Sequence, residues 1–262
     1  MTASASVQRA LVVVTAMLVA ACGNGSAEPE PGAGERSSAA APPITVFAAA
    51  SLTEAFTQIG ADFTAASGSP VTFNFGSSAT LAAQINAGAP ADVLAAASPA
   101  TMKTVTDAGG AAAPVDFVAN SLQIAVPKGN PAKVTGLPDF ADESRTIALC
   151  APQVPCGAAA EKVFAAARIT PRPDTLEQDV KAALAKVAAD EVDAALVYRT
   201  DVLAAAGKVE GIDFPESVQA VNSYPIAVLT ASRASGTAQA FVDYVRSPEG
   251  QAVLGRAGFA RP

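Results

Sequence analysis

Two serines stand where a strand hands over to a helix. Ser51 ends the run Phe47-Ala48-Ala49-Ala50-Ser51, ahead of Leu52-Thr53-Glu54-Ala55-Phe56. Ser78 ends Phe75-Gly76-Ser77-Ser78, ahead of Ala79-Thr80-Leu81. At such a junction the first helical N–H groups have no intrahelical acceptor and lie at the positive end of the helix dipole. Small side chains let a ligand reach those groups, and a serine adds a hydroxyl. The chemistry on offer is capture of an anion by neutral donors, without lysine or arginine. The competing reading is that each serine is only a helix cap. One junction alone reads as a cap. Two in one lobe, aimed the same way, give the shared anion equal standing.

Other chemistries fare worse. The 262 residues contain no histidine, which removes the commonest general base and the commonest metal ligand together. A serine hydrolase would need a base for Ser51 or Ser78. Neither site reads G-x-S-x-G, and neither serine has a lysine within a helical turn. No catalytic residue is therefore assigned. Arg145, Arg168, Arg172 and Arg199, the sort of residue a carboxylate ligand calls for, are spread along the chain and read as surface charges. Tyr198, Tyr224 and Tyr244 are too scattered for a tyrosine-based iron site, and the last two read as packing or hinge residues. A net charge of −7 argues against nucleic acid and anionic membrane surfaces as partners.

The serines need elements to hold them, and the apolar pattern supplies them. Strands are expected at Ile44 to Ala48, Pro70 to Phe75, Asp92 to Ala96, Leu122 to Val126, Thr146 to Cys150, Ala194 to Tyr198 and Pro225 to Thr230. Helices are expected from Leu52, with Phe56, Ile59 and Phe63 on one face, and from Ser78 to Gly88. Further helices are expected at Pro99 to Ala108, Ala158 to Ala167, Val180 to Ala189, Ala238 to Val245 and Pro248 to Arg256. Alternating β and α units imply an α/β fold of mainly parallel sheets flanked by helices. Two crossings, at Asn120-Ser121 and at Asn222 to Pro225, divide it into lobe 1 (44–121 with 224–262) and lobe 2 (122–223). Ligands of such folds lie outside the carboxyl ends of the strands, here in the cleft between lobes.

The N-terminus reads as targeting. Arg9 precedes an apolar run from Ala10 to Ala21, too short for the ~20 residues that span a bilayer. Its end, Leu18-Val19-Ala20-Ala21-Cys22, resembles a bacterial lipoprotein signal. Residues 1–21 would be a signal peptide, and Cys22 would carry the lipid anchor, palmitate included. Residues 22–43, rich in Gly, Ser, Glu, Pro and Ala, have little to bury and read as a disordered tether. An exported chain with two remaining cysteines, Cys150 and Cys156, argues for a disulfide between them.

The stretches "ITVFAAASLTEAF", "FGSSATLAAQINAGAPADVLAAAS", "QDVKAALAKV", "ALVYRTD" and "YPIAVL" resemble the molybdate-binding proteins of ABC importers. The terminal "SPEGQAVLGRAGF" is similar too, though it is common among solute-binding proteins at large. The resemblance covers Ile44 to near the end. It implies a two-lobed type II periplasmic-binding-protein fold, a monomer on the extracytoplasmic face of the cell membrane, and delivery of the ligand to a permease and an ATPase. It implies a tetrahedral oxyanion, molybdate or tungstate, held by Ser51, Ser78, Cys156, Val180 and Tyr198. The serines give hydroxyl and backbone N–H, Cys156 and Val180 backbone N–H only, and Tyr198 its phenol. Cys156 stands where the family usually has alanine, a change that a backbone donor tolerates. Asp179 beside Val180 reads as a helix cap. No cofactor is implied, and no metal apart from the oxyanion itself. A pocket of donors suits a bare dianion and refuses hydrogen phosphate, whose proton needs an acceptor. The alternative within the class is another tetrahedral oxyanion such as sulfate or thiosulfate. A lipoprotein without any ligand is a third reading.

Overall fold

The computed structural model describes residues 41–262. The expected signal peptide, Cys22 with its expected lipid, and most of the expected tether lie outside the described residues.

The first lobe opens with β1 (Ile44–Ala49), a 3₁₀ turn (Ala50–Leu52), α1 (Thr53–Ser67), β2 (Val71–Gly76), α2 (Ser78–Asn86), β3 (Val93–Ala95), α3 (Pro99–Asp107) and β4 (Val115–Asn120). The chain then crosses at Ser121 into β5 (Leu122–Pro127), β6 (Ile147–Cys150), α4 (Pro155–Ala167), β7 (Thr175–Glu177), α5 (Val180–Ala188), β8 (Ala194–Tyr198), α6 (Arg199–Ala204) and β9 (Val209–Ile212). It returns through a 3₁₀ turn (Pro215–Ala220) to β10 (Asn222–Val228), α7 (Ser235–Arg246) and α8 (Pro248–Arg256).

Two five-stranded sheets result, ordered β2-β1-β3-β10-β4 and β7-β6-β8-β5-β9. The expected α/β fold is present, but the sheets are mixed where mainly parallel ones were expected. In each, two pairings are parallel and two antiparallel. The antiparallel pairings all involve β5 or β10, the strands that begin just after a crossing.

Several elements differ from the sequence expectation for identifiable reasons. Strand β10 starts at Asn222, ahead of Pro225. The proline is tolerated because the register with β4 shifts between Tyr224 and Pro225, so no ladder N–H is missed. Helix α4 starts at Pro155 because proline at the first helical position gives up no bond. Strands β4, β7 and β9 and helix α6 were not anticipated. Strand β7 has three residues and leaves Leu176 exposed, too little pattern to read.

Each lobe has its own core. Helix α1 buries Phe56, Ile59 and Phe63 against β1, β3 and α7. There Phe56 meets Phe117 and Phe241 at ring centroids of 5.8 and 6.0 Å, and Phe63 meets Phe241 edge-on at 5.4 Å. The second lobe buries the aliphatic runs of β5, β6 and β8 with Val163, Phe164 and Val187. Ala50, from the junction after β1, packs into that second core, so the strand-to-helix turn of one lobe abuts the other.

Candidate functional site

The junctions meet. Ser51 lies in the 3₁₀ turn after β1, Ser78 is the first residue of α2, Cys156 the second of α4, Val180 the first of α5, and Tyr198 the last of β8. All five are buried and line one cavity between the lobes, together with Ser77 and Asp179. Its volume is about 20 Å³. One water needs roughly 10–15 Å³ on the same measure, so a single small group fits and an organic solute does not. Larger hollows, of about 410 and 500 Å³, lie on one lobe each and gather no comparable set of donors.

Helix starts supply the backbone donors. In α4 the first intrahelical bond is Ala158 N–H to Val154 O at 3.0 Å, and Pro155 has no N–H. That leaves the N–H groups of Cys156 and Gly157 facing outward at the dipole's positive end. In α5, Asp179 accepts from Lys181 N–H at 2.9 Å and Ala182 N–H at 3.0 Å through one oxygen. Asp179 is thus the cap, as the sequence suggested, and the Val180 N–H is spared. The turn before α4 is held by the Cys150–Cys156 disulfide, with Cα atoms 5.7 Å apart. Gly157 is required there: a Cβ would collide with the carbonyls of Ala151 and Cys150.

The hydroxyls are held from behind. Ser78 Oγ accepts the Ala97 N–H at 2.9 Å, so its own proton is free for the cavity. Ser51 Oγ lies 2.9 Å from the Tyr224 hydroxyl. The Tyr198 hydroxyl receives Asn222 Nδ2 at 2.6 Å. Ser77, 6% exposed and at the cap position of α2, makes no cap bond and its Oγ has no partner. Burial pushes both tyrosines' pKa values up, Tyr198 aided by Tyr224 and Asp201, so both remain protonated donors at neutral pH. Sequence reasoning missed Ser77 as a lining residue and Tyr224, Asn120 and Asn222 behind the wall.

The geometry is that of a small, donor-lined cavity between two lobes. Comparison with known proteins adds the family. The model of the family described as bacterial extracellular solute-binding protein matches residues 44–260. The chain belongs to that family. Among solute-binding relatives, a Mycobacterium tuberculosis protein named "Molybdate-binding protein ModA" is 41% identical over 255 residues, covering 95% of this chain and 97% of that one. The Azotobacter vinelandii periplasmic molybdate-binding protein shares the fold with a TM-score of 0.69 at 21% identity, over 84% of this chain and 99% of its own. The sulfate-binding protein SubI of M. tuberculosis does so with a TM-score of 0.76 at 19% identity, over 84% and 87%.

In this solute-binding protein Asp179 is, among the described residues, the one charged side chain on the cavity wall, and the other charges nearby lie behind it. Asp201, at the start of α6, is fully buried. Its Oδ2 accepts the Tyr198 N–H at 3.1 Å. Its Oδ1 has no hydrogen bond but lies 3.4 Å from Lys181 Nζ. Burial pushes its carboxyl up to about 6, against the pull of Lys181. Lys181 in turn grips both oxygens of Glu54 at 2.8 Å. Glu54 belongs to α1 and Lys181 to α5, so this ion pair ties the lobes together beside the cavity. Among the described residues, no group of three or more His, Cys, Asp or Glu could hold a metal ion.

Proposed function

We propose that this protein captures molybdate or tungstate outside the cytoplasmic membrane and delivers it to the permease and ATPase of an ABC importer. The observation that carries this reading is the cavity: small, set between two lobes, and walled by hydroxyls and helix starts with no cation among them. The name borne by the 41%-identical relative points to the same ligand. Ser51, Ser78 and Tyr198 donate hydroxyls, and Ser51, Ser78, Cys156 and Val180 donate backbone N–H groups. The lobes, residues 44–121 with 224–262 and residues 122–223, close on the oxyanion. The protein is not an enzyme in this reading, because the partners of its site serines, Tyr224 and the Ala97 N–H, are not bases. It needs no cofactor and works as a monomer, tethered by lipid on Cys22 to the outer face of the cell membrane.

A second reading, sulfate or thiosulfate, draws support from the small cavity, since sulfate is the smaller dianion. Titration calorimetry with molybdate, tungstate, sulfate and phosphate separates the two. Molybdate and tungstate should bind with similar tightness, and the others far more weakly. Ser51→Ala, Ser78→Ala and Tyr198→Phe should each lose about tenfold to 150-fold, the worth of one hydrogen bond to a charged group. Sulfate bound as tightly as molybdate would sink the first reading, and full binding by both serine variants would move the site elsewhere.

A further inference from the structure

We infer that Tyr224 and Asn222, with Asn120 behind them, are positioning residues that aim the hydroxyl protons of Ser51 and Tyr198 into the cavity and so bar protonated oxyanions. The inference rests on the oxyanion reading above and goes further, to how the site chooses among anions of equal charge.

A hydroxyl carries one proton and two lone pairs, and rotates to suit its neighbours. In an open pocket a serine or tyrosine could therefore give or take a hydrogen bond. Here the choice is made from behind. Asn120 Oδ1 accepts the Ser121 N–H at 3.0 Å. That fixes the amide, so its NH₂ faces Thr200 Oγ1 at 2.8 Å and the Tyr224 hydroxyl at 3.4 Å. Tyr224, receiving there, has its own proton for Ser51 Oγ at 2.9 Å. Ser51, receiving in turn, has its proton for the cavity. Asn222 does the same for Tyr198 in one step, at 2.6 Å. With Tyr224 donating to Ser51 and Asn222 to Tyr198, both chains run toward the ligand. The one carboxylate on the wall, Asp179, is drawn onto the first turn of α5.

The two asparagines also sit at the crossings. Asn120 ends β4, Asn222 begins β10, and they are direct partners in the antiparallel pair. The strands that link the lobes thus carry the groups that set donor direction. A bare dianion accepts all the protons offered. Hydrogen phosphate has a proton of its own and meets another, which leaves a buried donor without an acceptor.

The test compares molybdate with hydrogen phosphate in mildly alkaline buffer, where both are dianions and general charge effects cancel. Phosphate is read by competition against bound molybdate. Tyr224→Phe keeps the ring packing and should weaken molybdate about threefold to tenfold, the range of one neutral hydrogen bond. In a Ser51→Ala background the same change should do almost nothing, which a merely structural tyrosine would not produce. Asn222→Asp replaces a donor by an acceptor, turns the Tyr198 proton away, and should narrow the molybdate-to-phosphate ratio at least tenfold. A ratio unchanged in Asn222→Asp, or a Tyr224→Phe effect that persists without Ser51, overturns the inference while leaving molybdate binding intact. Wild-type protein that binds no oxyanion overturns the functional reading instead.

Discussion

Asp201→Asn should stabilise the protein, and only above a certain pH. The carboxylate is fully buried, with one oxygen on the Tyr198 N–H and the other lacking a hydrogen bond. Burial raises its pKa from the ordinary 3.8 to about 6 in the folded state. Below 3.8 the group is protonated whether folded or unfolded and carries no penalty. Between 3.8 and about 6 the folded state holds the proton more tightly, so stability falls as pH rises. Above 6 the whole penalty is present, about 3 kcal/mol at about 1.4 kcal/mol per pKa unit. Asparagine keeps an oxygen for the Tyr198 N–H and removes the charge. The pull of Lys181 is already contained in that net shift, but the amide NH₂ would face the Lys181 ammonium with no acceptor, at a cost of about 1–2 kcal/mol, so a net gain of about 1–2 kcal/mol at pH near 7.5 is expected. For a chain of this size that raises Tm by roughly 2–8 °C. Urea melts of both proteins across the acid-to-neutral range test it. The difference should be near zero at the acid end, grow through the span 3.8 to 6, and level off. A pH-independent difference, or an asparagine variant weaker at neutral pH than at acid pH, would refute the reasoning.

Two further outcomes follow from the site's surroundings. Glu54→Gln cuts the ion pair between the lobes; since that pair is partly exposed, molybdate release in stopped flow should quicken only about twofold to fivefold, and less at high salt. Unaltered release at low ionic strength would remove Glu54 from the closed state. The Cys150–Cys156 loop is short, worth about 2 kcal/mol by the loop-length relation, so on the proposed reading its main service is to hold the Cys156 N–H on the anion. The Cys150→Ala, Cys156→Ala double variant should therefore lose more molybdate affinity by calorimetry than its fall in Tm explains; unchanged affinity would leave a structural staple only.

What the sequence disclosed and what it hid divide along physical lines. Ser51 and Ser78 were legible because the signal is local: a strand, small residues, a serine, a helix. Cys150 and Cys156 were legible because an exported chain leaves a close pair few alternatives. The five proposed ligand residues share one cavity, as the motif order implied. Tyr224 was hidden because its role depends on a strand that returns some 170 residues after Ser51, and nothing near Tyr224 in the chain reports that meeting. Asn120 and Asn222 read only as residues of the crossings; they are the last residue of β4 and the first of β10, and their work as donors appears only once those strands pair. Ser77 stood beside Ser78 and passed for the spacer in a cap. The mixed sheets escaped for a similar reason. Strand order and direction after a crossing are set by which lobe the chain enters, and periodicity does not carry that.

The helix starts that face the cavity have an evolutionary consequence. On the proposed reading, Cys156 and Val180 contribute peptide N–H groups, which every residue but proline possesses. Selection on ligand capture would then act on side-chain identity at Ser51, Ser78 and Tyr198 and ignore it at Cys156 and Val180. A complete substitution scan scored by molybdate uptake would look paradoxical at those two positions: indifferent to polarity, limited in bulk by the burial of each side chain, and sharply intolerant of one residue alone. Cys156 is then free to be recruited for something else. The disulfide to Cys150 is that second use, laid over a contact that makes no demand on the side chain. Residues that hold a ligand through the main chain are places where a lineage can add new covalent chemistry without first giving up the old binding.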